Sequence, residues 1–103
     1  MNNIERIENK ELRGKILSVL DYSYPLGLSK QIIAQSLAAA HYKINRYELT
    51  AQLAYLEEKG YVSQETVGFA EIALARQMVK LTAKGKDLID GNLEPDPGVG
   101  GYD

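Results

Sequence analysis

The sequence predicts a mainly α domain with a small β-hairpin, an α+β fold. Three observations carry this. Between residues 11 and 59 apolar side chains recur at helical spacing in three separate segments. After Gly60 the period changes to alternation, in YVSQETV and again in the run ending VKLT. Each segment is bounded by residues that start or stop regular structure. At 103 residues, with 45% apolar and 25% charged residues, the chain suits one ordinary soluble domain and leaves no room for a second core.

Residues 1–10 are polar, with Ile4 and Ile7 at helical spacing, and read as an extension of the first helix. From Glu11, the side chains of Leu12, Ile16, Val19 and Leu20 form one stripe and predict a helix over 11–21. Gly14 within it costs roughly 1 kcal/mol relative to Ala, so it marks either close packing against another helix or simple tolerance. DYSYPLG ends the helix, and Leu26 and Leu28 beside Gly27 can add a short strand. Ser29 caps a second helix over 29–40, which buries Ile33 and Leu37. Asn45 and Glu48 have capping-box spacing and open a third helix over 46–59, with Leu49, Leu53 and Leu56 inside and Gly60 as its stop.

Next comes a hairpin, near 61–67 and 73–81, that turns around Gly68. AEIALARQM has helical propensity, but the alternation of Val79, Lys80 and Leu81 favours a strand and lets Leu81 share a core face with Val62. Thr82 caps a last short helix over 83–90, which contributes Leu88 to the core. The domain then covers 11–90, and GNLEPDPGVGGYD, residues 91–103, reads as a disordered acidic tail.

Composition removes several function classes. Without cysteine there is no disulfide, thiol nucleophile or Cys-based zinc site. His41, the single histidine, cannot build a histidine cluster and reads as a surface turn residue. Glu57 and Glu58 diverge by about 100° on a helix and so do not form an acid–base pair. No nucleophile stands beside a base at a recognisable spacing, and no glycine-rich phosphate loop follows a strand. The expectation is therefore a non-enzyme without cofactor or metal. No segment is apolar enough to span a membrane, and the charged start MNNIERIENKE is unlike a signal peptide, so a cytoplasmic protein is expected. Residues 88–103 carry four acidic and no basic residues, whereas residues 1–87 carry twelve basic against ten acidic. A faintly basic body with an acidic tail does not choose between nucleic acid and protein as partner.

The order helix, short strand, helix, helix, hairpin, helix resembles the winged-helix branch of the helix-turn-helix superfamily over roughly residues 11–90. LTAQLAYLEEKGYV, residues 49–62, resembles the third helix and first wing strand of bacterial regulators of the MarR and PadR type. LTAKGKDL, residues 81–88, is similar to the run by which such wings return to a helix. ELRGKIL, YPLGLS and LEEKGYV are also similar to segments of small winged-helix proteins of Mu-like phages and prophages. The resemblance implies a transcriptional regulator or phage accessory factor that binds duplex DNA and is typically paired on a two-fold site, with residues 1–10 as a candidate dimer contact.

Carried over by position, the reading residues are Asn45, Arg46, Tyr47, Thr50 and Ala51 of the third helix. Lys30 and Lys43 would meet phosphates, and Arg76 or Lys80 would bring the wing to the backbone. This chain departs from the pattern in two ways. Residues 45–59 carry Arg46 and Lys59 against Glu48, Glu57 and Glu58, and the tip GFAE has no basic residue. The alternative reading is a winged helix used for protein–protein contact, with Tyr47, Phe69, Ala51 and Ala54 as an apolar face.

Overall fold

The computed structural model describes residues 3–69 and 74–102, apart from the side chains of Asn3, Phe69, Leu74 and Ala75. Its elements are α1 (Asn3–Ser23), β1 (Leu28–Ser29), α2 (Lys30–Ala39), α3 (Arg46–Glu58), β2 (Val62–Phe69), β3 (Leu74–Leu81) and α4 (Ala83–Ile89). The strands form one antiparallel sheet in the order β1-β3-β2. β2 and β3 pair in continuous register from Val62 opposite Leu81 to Phe69 opposite Leu74. This is the expected α+β winged helix, with the second hairpin run a strand. The connection across the hairpin, residues 70–73, lies outside the described residues.

The caps form as the sequence requires. Ser29, Asn45 and Thr82 each accept a hydrogen bond from a backbone amide three residues on, satisfying a donor that the first turn leaves free. α3 ends with Gly60 at φ +86°, which lets the Tyr61 amide donate back to the Leu56 carbonyl. α2 ends in the same way, but on a non-glycine residue. His41 sits at φ +70°, and the Tyr42 amide donates to the Leu37 carbonyl. The return run LTAKG also has a physical reading. Leu81 is buried, Thr82 caps α4 while donating to the Gly60 carbonyl at 2.6 Å, and a Cβ on Gly85 would strike the Tyr61 carbonyl oxygen.

All eleven expected core residues are buried: Leu12, Ile16, Leu20, Ile33, Leu37, Leu49, Leu53, Leu56, Val62, Leu81 and Leu88. The core also takes in Leu17, Tyr61, Val79 and Val99. Leu17 lies beside the predicted stripe. It is buried because α1 packs against α2, α3, β3 and α4, which widens the covered face beyond that of a surface helix.

The tail corrects the sequence reading. Residues 96–102 lie against α1 and α3 instead of being disordered. Val99 is in the core, the Gly100 amide donates to the Lys10 carbonyl at 3.0 Å, and the Ser18 hydroxyl donates to the Tyr102 carbonyl at 3.1 Å. A Cβ on Gly14 would fall on the Gly100 carbonyl oxygen. The glycine therefore does mark close packing, but against the backbone of Gly100 and not another helix. Low apolar content misled because the segment needs only one aliphatic anchor when its polar groups find partners on the body. Ile4 and Ile7 extend α1 and stay exposed.

Candidate nucleic-acid interface

α3 presents two faces. Leu49, Leu53 and Leu56 point into the core, whereas Arg46, Tyr47, Thr50, Ala51 and Ala54 are exposed. The first turn is fixed by Asn45, whose Oδ1 accepts from the Glu48 amide at 2.8 Å. Its Nδ2 donates to Glu48 Oε1 at 2.7 Å, so Glu48 answers the cap through its side chain. Tyr47 is 77% exposed, with the Arg46 guanidinium 5.7 Å from its ring centroid. Lys30, at the start of α2, reaches across and donates to the Thr50 hydroxyl at 3.0 Å.

Lys30, Asn45 and Arg46 meet at a groove of about 380 Å³, lined also by Gln31 and Gln77 over a floor of Ala34, Ile44 and Leu49. Among the described residues neither Lys30 nor Arg46 has a carboxylate partner. Two uncompensated cations and three side-chain amides thus share one concave edge, a donor set suited to phosphate and to base edges. Gln31 and Gln77 were not anticipated. The signal for Gln77 was available, since it stands two residues before buried Val79 and hence on the same face of β3.

Not every expected residue joins this group. Lys43 faces a separate cleft of about 370 Å³, lined also by Glu8, Glu11 and Glu48, and so stands apart from this group. In that cleft the Tyr42 hydroxyl donates to Glu11 at 2.8 Å, and this bond, with burial, raises the phenol above its ordinary value. Arg76 and Lys80 pair with Val67 and Ser63 on the sheet face opposite the one carrying Val62, Val79 and Leu81. Their strand positions therefore lie on the reverse of the wing. The face turned to α3 carries Gln64 and Gln77 instead. Gln77 donates to Gln64 at 3.1 Å, and the Gln64 backbone and side-chain amides both donate to Glu57, at 3.1 and 3.3 Å. Phe69 pairs with Leu74 at the end of the hairpin, and its side chain, like residues 70–73, lies outside the described residues.

No group of three or more His, Cys, Asp or Glu among the described residues is placed to hold a metal ion, and no described helix is long and apolar enough to cross a membrane.

No family model matches the chain, and no curated protein sequence matches it. Solved structures do. A PadR-like transcription factor from Bacteroides fragilis superposes with a TM-score of 0.73 at 22% identity, over 88% of this chain and 85% of that one. PadR of Bacillus subtilis, solved in complex with operator DNA, gives 0.61 at 22% identity over 84% of this chain; this chain spans 49% of that one. A protein of Streptococcus mutans gives 0.58 at 23% identity, over 81% of this chain and 86% of that one. What this chain has in common with the three is the fold, and that fold is the winged helix of PadR-like transcription factors.

Proposed function

We propose that this chain binds duplex DNA as a transcriptional regulator, entering the major groove with the N-terminal half of α3. The observation that carries the reading is the exposed groove where Lys30 and Arg46, neither held in an ion pair among the described residues, meet Asn45 and Gln77, with Thr50 bonded to Lys30 and Tyr47 beside Arg46. The operator-bound PadR from Bacillus subtilis shares this fold and supports the reading. In this role Arg46 meets a guanine or a phosphate, Tyr47 and Thr50 touch base edges beside it, and Lys30 anchors the backbone. The proposed role is non-catalytic, needs no cofactor and belongs to the cytoplasm. Two copies on a two-fold site complete it, with exposed Ile4 and Ile7 as the candidate dimer contact.

Binding to mixed genomic fragments near 50 mM salt tests this. Retention of a defined subset is expected, and Arg46→Ala is expected to weaken it about tenfold or more. Absence of retention at that salt overturns the reading. One observation favours a second reading: Tyr47 at 77% exposure beside exposed Ala51 and Ala54 is an apolar strip suited to a protein partner. Retention of DNA by a Tyr47→Ser variant at wild-type strength, together with loss of a co-purifying subunit, would select that reading.

A further inference from the structure

The tail contacts fall on one part of the molecule. Asp96 is the one buried charged residue among those described, and its Oδ2 accepts from the Tyr61 hydroxyl at 2.6 Å and from Lys59 Nζ at 3.0 Å. Its Oδ1 accepts from the Gly98 amide at 2.7 Å, which folds the segment into a turn. Gly98 lies so close to the Tyr55 hydroxyl that a Cβ there would clash with it. Arg13 of α1 closes the arrangement. Its guanidinium lies 3.7 Å from the Tyr55 ring centroid, donates to the Gly98 carbonyl at 3.2 Å and donates to Gln52 Oε1 at 2.7 Å.

Gln52, Tyr55 and Lys59 occupy the C-terminal half of α3 and its cap, and Tyr61 follows directly. Among the described residues the hydrogen bonds and ion pair of the tail do not involve Arg46, Tyr47 or Thr50, and those residues form the reading end. The tail therefore grips the base of the helix and leaves its tip open. Asp96 on Lys59 also stands at the opposite end of α3 from Arg46, so this carboxylate does not compete for the cationic edge.

We propose that residues 96–102 are a positioning strap for α3, clamping its C-terminal half to α1 and so setting the angle at which its N-terminal half meets DNA. This rests on the DNA-binding reading for its consequence, but not for its mechanics. Gly14 supplies a probe, because Gly14→Ala improves helix propensity while placing a methyl group on the Gly100 carbonyl. Val99→Ser is an independent probe that removes the apolar anchor and leaves α1 unchanged.

Backbone amide exchange is measured on the full chain carrying each substitution, alongside the affinity and salt slope for a retained DNA fragment. The strap predicts exchange about tenfold faster at residues 96–102 and 53–59, with α4 amides at wild-type rates. DNA affinity falls about three- to tenfold with an unchanged salt slope, because reading geometry is disturbed and phosphate contacts are not. The double variant is no worse than the more severe single one, since both act through the same segment. Four results overturn the strap: a tail still protected in Gly14→Ala, a released tail with unchanged α3 amides, acceleration of α3 and α4 together, or a loosened α3 with unaltered DNA affinity. If wild type retains no DNA, the functional reading fails, and the exchange data alone decide whether the strap exists.

Discussion

Asp96 combines burial with full hydrogen bonding. Burial alone would raise its carboxyl, yet the Tyr61 hydroxyl, the Gly98 amide and the Lys59 ammonium outweigh it and hold the group below the usual carboxylate range. Tyr61 moves the other way, pushed up by burial and then by the Asp96 carboxylate. A carboxyl held below its unfolded value of about 4 stabilises the fold fully above that pH, and the contribution disappears as pH falls through the folded value. Asp96→Asn is accordingly expected to cost about 1–3 kcal/mol at neutral pH. The gap between variant and wild type should narrow as pH falls below about 4 and close once pH passes below the lowered folded value, where the wild-type carboxyl is also neutral. Urea titrations at several pH values measure it. A gap that persists unchanged at low pH would show that the ionised carboxylate is not what matters. Nothing in the sequence marked Asp96 out from Asp90 or Glu94, because its partners Lys59 and Tyr61 are more than thirty residues away along the chain.

The elements were legible where they depend on neighbours in sequence. Ser29, Asn45 and Thr82 start their helices because a side-chain oxygen can reach an amide three residues on, a relation that any tertiary fold preserves. The end of α2 was harder to read, since His41 adopts a positive φ that a glycine would have signalled. Gly85 lies within a legible motif, but its function there is tertiary: it lets α4 approach the backbone of Tyr61. Gly85→Ala tests this distinction. Helix propensity alone predicts a gain of roughly 1 kcal/mol. The clash with backbone predicts instead a net loss of about 1–3 kcal/mol, read from the urea midpoint.

For the molecule as a whole, the distribution of cations decides how the proposed interface is built. Five basic positions were carried over from the family resemblance, and the fold separates them. Lys30 and Arg46 share the groove with Gln77, Lys43 turns to a cleft with three glutamates, and Arg76 and Lys80 lie on the reverse of the wing. The expected outcome is asymmetric. Arg76→Ala combined with Lys80→Ala should leave the slope of log affinity against log salt unchanged, whereas Lys30→Ala should lower it by about 0.9, the value of one phosphate contact. Equal loss in both variants would mean that DNA reaches around the wing.

The sequence by itself determined the number, order and type of elements and eleven members of the core. Periodicity and capping act over three or four residues, and burial follows from them. Only the tertiary structure decided which cations converge, why Gly14 is a glycine, and that a segment rich in glycine and proline docks through Val99 and Asp96. Those outcomes depend on groups brought together from distant parts of the chain. The anchoring of residues 96–102 needs α1, α3 and Tyr61 already in place, so no local pattern in the segment itself encodes it.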